Sequence, residues 1–400
     1  MKRILVYLGL FLLVLFAGMF FWTARLVDAS SSPSRGAFRP EWSPAAAASY
    51  LDYREAWWQN WPDAQRDHGT ICVSCHTVVP YALVRPVLSA QLGENGLTPA
   101  EHRMLNSIDT RVADWPQTTS YYTDPAHAVP SRATESVLNA FILSSYSGRS
   151  GQFAPITRRA FAEAWTLQRM TGEDVGGWQW QNFHEAPWES SESAYWGAAV
   201  MAIAVANTPE QYQDDPGVRQ HITELQEYLR RTYSEQPTIN QVYVIWAAAE
   251  MPGLISSSQR SRFIARIEGL QQPDGGWSLA SLDGRRSRKS QLLDIFRRID
   301  GVDGSDGCGT GLAVLGLDKA GVPVQDPVVQ RGLKWLRQHQ YQDGSWWAPS
   351  LNGLRKPDGE LGRFLSDAAT GYAVLAMEQA KAQQAAAHAA GAPSDSASGT

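Results

Sequence analysis

Cysteine is scarce: three thiols in 400 residues, Cys72, Cys75 and Cys308. That is too few for a disulfide scaffold, so each is read by its own chemistry. Excess charge of one sign is also missing. A net charge of −5 gives no basic surface for nucleic acid. Gly-rich phosphate loops, nucleophile elbows and an Asp-Asp-x-x-Asp run for metal-held pyrophosphate are absent as well. What remains is an ordinary globular composition, 44% hydrophobic, with a marked surplus of tryptophan, sixteen in all.

One long apolar run stands at the N-terminus. Lys2 and Arg3 precede Ile4–Trp22, which carries no charge. At ~1.5 Å per residue it just spans a bilayer core of ~30 Å. The preceding positive charge favours a cytoplasmic N-terminus, with the bulk of the chain on the far side, the periplasm of a bacterium. Val27-Asp28-Ala29 is a weak cleavage site, so residues 1–29 read as a membrane anchor rather than a removed signal, and both readings export the chain. Residues 30–42 read as a linker, 43–380 as the body and 381–400 as a disordered Ala/Ser/Gly tail.

The chemistry-bearing stretch is Cys72-Val73-Ser74-Cys75-His76. C-x-x-C-H is the pattern for covalent haem c, with two thioethers and one axial imidazole from His76. Met104, His102, His127 and His68 are candidates for a sixth ligand. Zinc or iron held with help from Asp306 or Cys308, and a redox dithiol, are the alternatives.

The body repeats. Five outer helices open with proline at the first position, at Pro44, Pro99, Pro155, Pro216 and Pro327, and another starts at Ser256-Ser257-Ser258. Thr98-Pro99-Ala100-Glu101 adds a capping box. Each is followed by a more apolar helix rich in small residues, beginning near Pro80, Thr134, Ser193, Thr238, Thr310 and Thr370. A helix apolar nearly all round belongs inside other helices. The sequence therefore predicts an all-α, closed (α/α)6 toroid behind an N-terminal transmembrane helix. Cys72–His76 falls in the first outer-to-inner loop.

The matching loops elsewhere are Gln271-Gln272-Pro273-Asp274-Gly275-Gly276-Trp277, Gln340-Tyr341-Gln342-Asp343-Gly344-Ser345-Trp346 and a degenerate Asp174-Val175-Gly176-Gly177-Trp178. They resemble the repeats of the squalene–hopene cyclase family and of protein prenyltransferase β subunits, over roughly residues 130–380. The resemblance implies an α/α toroid and an isoprenoid or other apolar ligand. Asp306-Gly307-Cys308 resembles the zinc-binding Asp-x-Cys of prenyltransferases, but the family's histidine falls at Ala368. Asp303-Gly304-Ser305-Asp306 is the nearest match to the cyclases' acidic proton donor and makes Asp306 the candidate catalytic acid, though without the adjacent acids of that motif.

Trp178, Trp180, Phe183, His184, Trp188, Tyr195 and Trp196 form the densest aromatic cluster and are read either as the lining of an apolar cavity or as core. Glu135, Glu192 and Asp367 stand near inner-helix starts, as caps or as an acidic ring. Arg285, Arg286, Arg288, Lys289, Arg297 and Arg298 place six cations in one loop. The expected function is a haem c-bearing extracytoplasmic toroid in a redox or apolar-ligand-binding role, with a redox partner. A divergent terpenoid cyclase, and a zinc-binding or scaffold protein without haem, are the alternatives.

Overall fold

The computed structural model describes residues 36–284, 304–352 and 359–391. All regular structure among them is helical. Six outer helices are α1 (Pro44–Asn60), α3 (Pro99–Ala113), α5 (Pro155–Leu167), α7 (Pro216–Thr232), α9 (Ser257–Gly269) and α11 (Pro327–Gln338). Six inner helices are α2 (Val78–Leu92), α4 (Ala128–Ser150), α6 (Ser193–Ala206), α8 (Thr238–Glu250), α10 (Gly307–Lys319) and α12 (Phe364–Gly391). Each inner helix packs on the inner helices before and after it, and α12 packs on α2. The ring is closed, as the hairpin count predicts.

Local signals set the helix starts. The Ser43, Asp215 and Asp326 side chains accept from backbone N–H groups of the first turn, and Thr98 and Ser256 form full capping boxes. Two inner helices begin six residues earlier than expected, α4 at Ala128 and α12 at Phe364. Glu135 therefore lies two turns inside α4 and Asp367 in the first turn of α12, so neither is an N-cap. α12 continues to Gly391, about three turns past Ala380.

The repeat loops hold neighbouring hairpins together. Trp178, Trp277 and Trp346 are buried and donate their indole N–H groups to Ala164, Ile267 and Leu336 carbonyls (2.8, 2.7 and 2.8 Å) of their own outer helices. Gln168, Gln271 and Gln340 reach forward to carbonyls of the next outer helix or its cap, at His221, Val328 and Ser43. The last of these closes the ring, because Ser43 caps α1. Gly344 sits at φ +93°, and a Cβ there would lie 2.0 Å from the Ala46 carbonyl oxygen of α1. Gly371 lets α12 approach α2: a Cβ would meet Pro80 Cβ at 2.6 Å.

The linker is ordered over its described part and adds to the closure. Phe38 bridges Tyr341, the Arg39 N–H donates to the Gln340 carbonyl (2.7 Å), and the Trp42 ring lies 6.3 Å from that of Trp346. Among the described residues no helix is long and apolar enough to cross a membrane. The expected anchor, Ile4–Trp22, and the cationic loop around Arg285–Lys289 lie outside the described residues.

Gly344→Ala is expected to lower stability by at least about 2 kcal/mol, combining a disfavoured φ with a backbone clash. Gly321, at φ +85° with open space around it, is the control. Its alanine variant is expected to lose less, with urea midpoints as the measurement. Equal losses would remove the ring-closing role given to Gly344.

Candidate functional site

The outer-to-inner loops and the N-terminal ends of the inner helices share one mouth of the toroid. The Cys72–His76 loop is pinned there from several sides. Trp58 of α1 donates its indole N–H to the Cys72 carbonyl (2.8 Å). Ser107 of α3 accepts from the Ile71 N–H (2.9 Å), and the Tyr121 hydroxyl accepts from the Val73 N–H (3.2 Å). The Ser74 hydroxyl accepts from the Thr77 and Val78 N–H groups, doing at α2 what a capping side chain does elsewhere.

His76 is oriented by a chain of three groups. Its Nδ1 lies 2.8 Å from the Thr77 hydroxyl, which donates to Asp367 Oδ2 (2.8 Å). The same carboxylate accepts from Tyr50 and from Arg54 Nε, both at 2.8 Å, on Oδ1. A carboxylate surrounded by donors is an acceptor only, so the single Thr77 proton is committed to it. Thr77 must then accept from His76 Nδ1–H. With Asp367 ionised, this assigns the tautomer that carries its lone pair on Nε2. Burial raises the Asp367 pKa, while Arg54, Thr77 and Tyr50 favour its ionised form. Around His76 stand Phe364, stacked at 3.8 Å, and Trp58, edge-on at 5.2 Å, with Trp57 and Trp61 packed behind Phe364.

The thiols fit one of the three chemistries better than the others. Cys72 is partly exposed and Cys75 buried, and the two are not bonded to each other. Burial pushes Cys72 up to about 12 and Cys75 well above an ordinary thiol. A neutral thiol is a poor exchange nucleophile until it is deprotonated, and a bound metal would itself deprotonate it. Among the described residues no three His, Cys, Asp or Glu side chains converge to hold a metal ion. Zinc needs such convergence. Haem c does not, because the thioethers sit on the porphyrin rim and only the imidazole meets iron. An apolar aromatic wall and a histidine with Nε2 presented as the lone-pair nitrogen fit that group.

Several candidates from the sequence are displaced. Asp306 is fully buried as the N-cap of α10: one oxygen accepts from Gly309 N–H (2.8 Å), the other from Leu279 N–H (2.6 Å). Burial raises its pKa to about 7, and each oxygen accepts one backbone N–H, so the side chain caps α10. Cys308 is buried on α10, and no third ligand completes an Asp306–Cys308 zinc site among the described residues. Glu135 and Asp367 are neither an open ring nor caps; they are ion-paired to Arg111 and Arg54 of the outer layer.

Of the proposed cavity lining, Trp178 belongs to a repeat loop. Trp180 donates to the Trp188 carbonyl (2.9 Å) and packs edge-on against Trp196 at 5.6 Å. Trp188 and Trp196 are buried against each other, and Trp196 packs on Tyr243 at 5.7 Å. Tyr243 of α8 donates to the Tyr372 hydroxyl of α12 (2.7 Å), spanning α10. These rings pack on one another and are buried inside the ring. A groove of about 420 Å³ lies on the outer face, between Arg158 and Trp165 of α5 and His221 of α7. Phe183 is at the mouth, against Tyr122 and His127.

Sequence reasoning missed Thr77, Arg54, Trp58 and Phe364. Thr77 was within reach, as the polar residue directly after the motif; the others had no local signal.

Beside this network Glu55 is fully buried on α1, one oxygen taking the Gln59 amide (2.8 Å) and the other without a hydrogen-bond partner. Burial raises its pKa to about 8. A carboxyl raised on folding contributes stability that is complete below its unfolded value, ordinarily about 4.5, and is lost as pH rises toward 8. Glu55→Gln is therefore expected to be less sensitive to a change from pH 5 to pH 8 than the parent protein, read as urea midpoints. The same midpoint loss in both would contradict the buried acid.

The family model of the squalene-hopene cyclase C-terminal domain matches residues 201–359. No curated protein matches the chain. The matched segment runs from α6 through the loop after α11 and includes two of the three glutamine-to-tryptophan loops. Over that stretch the chain is similar to the family, and the closed all-helical ring described above fits the same fold.

Proposed function

We propose that this toroid carries covalent haem c on Cys72 and Cys75, with His76 on the iron. In this reading it serves as an extracytoplasmic redox protein held at the bacterial inner membrane by Ile4–Trp22. The observation that supports the reading is the His76–Thr77–Asp367 chain, which presents Nε2 in the tautomer a metal requires. Bound there, the group would supply a one-electron couple. The chain's own residues hold and tune it: Asp367 and Thr77 orient the imidazole and raise its basicity, and Trp58 and Phe364 exclude water from its side. Access for a redox partner is at the same mouth. The apolar-ligand role is the weaker half of the expectation, since Trp196, Tyr243 and Tyr372 occupy the interior.

A divergent cyclase remains the second reading, favoured by the family match over residues 201–359. It requires an acid facing an empty chamber. Cyclised product from squalene, lost on Asp306→Asn without unfolding, would carry that reading.

Full-length protein expressed with an exported haem-ligation system is expected to show a Soret band and a haem stain that survives a denaturing gel. Replacing both Cys72 and Cys75 by Ala is expected to abolish the stain. A wild-type protein that stays unstained and colourless would overturn the haem reading.

A further inference from the structure

Four side chains compete for the second axial position, and the fold separates them. Met104 is buried in the core on the same face of α3 as Ser107 and Ile108. His102 is exposed on α3. His68 is exposed, at φ +55°, with Asp114 at 3.8 Å. His127 differs from all three. It is the residue immediately before α4, just as His76 lies two residues before α2, and α2 and α4 are neighbours in the inner ring. The two histidines thus stand at the heads of adjacent inner helices, at the same mouth.

Their surroundings match as well. His127 Nδ1 lies 2.8 Å from Asp124 Oδ1, the carboxylate–histidine pairing that turns Nε2 outward as a ligand. On His76 the same task falls to Thr77 and Asp367. The His127 ring is stacked on Phe183 at 4.8 Å and lies 6.3 Å from Tyr122. Phe183 is held in turn by its N–H bond to the Glu189 carbonyl (2.9 Å). Tyr122 and Glu189 both lie within electrostatic reach of Cys72 and Cys75, so the loops that seat His127 border the thiols.

We propose that His127 is the second axial ligand, making this a six-coordinate bis-histidine electron-transfer centre and not an open ligand-binding one. The inference rests on the haem c reading above. It narrows the role: with both axial positions occupied by side chains, the centre passes electrons and does not bind a small molecule directly. Two imidazoles, each backed by a carboxylate, also favour the oxidised state relative to a histidine–methionine pair.

The test is spectroscopic, on the full-length haem-loaded protein. Wild type is expected to be low-spin in the ferric form and indifferent to carbon monoxide when reduced. His127→Ala is expected to become high-spin and to bind carbon monoxide, and added imidazole is expected to restore the low-spin spectrum. His127 is partly exposed, so the variant is expected to fold, with far-UV circular dichroism as the check. Asp124→Asn is expected to stay low-spin and shift to a higher reduction potential, as a weakened imidazole support requires. A haem-stained wild type that is already high-spin, or a His127→Ala protein that remains low-spin, overturns the assignment and leaves the haem reading standing. An unstained wild type overturns both.

Discussion

One buried ion pair does two jobs in this molecule. Arg54 of α1 is fully buried and meets Asp367 of α12 at 2.8 Å. It also binds the carboxylate and the carbonyl of Glu360, just before α12. The pair therefore ties the first outer helix to the last inner helix, which is where a ring of six hairpins has to close. The second Asp367 oxygen takes the Thr77 hydroxyl and, through it, sets the tautomer of His76. Ring closure and imidazole orientation depend on the same carboxylate. Breaking a buried pair by removing one partner typically costs about 3–5 kcal/mol, whereas an apolar replacement of similar volume is often neutral. Closure alone does not need charge here. Orientation of the imidazole does.

A second buried arginine handles the other end of the loop. Arg111 of α3 pairs with Glu135 of α4 and binds Asp67 and the Thr70 hydroxyl (2.8 and 3.0 Å). Asp67 in turn accepts from the Thr119 N–H and hydroxyl. The stretch carrying both cysteines is thus clamped at its entry by Arg111 and at its exit by Asp367. Three of the other repeats use glycine and tryptophan at this point, in a turn closed by an indole hydrogen bond. The first repeat has no such turn, and two charged clamps hold its loop in register.

The ring was legible in the sequence because its signals are local. Proline at the first helical position, a capping residue before it and a tryptophan ten residues or so from its carbonyl partner all lie within one hairpin. The motif Cys72–His76 was legible for the same reason. What supports it was not: Thr77 reaches Asp367 across 290 residues and Arg54 reaches it across 313. A single sequence holds no information on such pairs. The two misplaced helix starts follow from tertiary override. Both starts lack a side-chain cap; Phe364-Leu365-Ser366 is helical because it is buried in the ring, whereas Ala128-Val129-Pro130 stays partly exposed. Asp306 illustrates the converse. Its position before an inner helix suggested an acid, while the same position suits a cap, and the neighbouring Leu279 N–H that takes its second oxygen lies 27 residues away.

The aromatic cluster was the hardest to read, and its resolution bears most on function. Helical spacing tells which rings face the interior but not whether they meet a void or one another. Here they meet. Trp180, Trp188 and Trp196 pack together, Trp196 meets Tyr243, and Tyr243 hydrogen-bonds across to Tyr372. A carbocation-forming toroid needs the opposite arrangement, aromatic faces around empty space and a free acid above it. Asp306 is tied to two backbone N–H groups at the head of α10, and the other reactive groups lie at the same mouth. There the two thiols, the oriented His76 and the histidine at the head of the next inner helix stand together, on the part of the ring where the repeat pattern is broken.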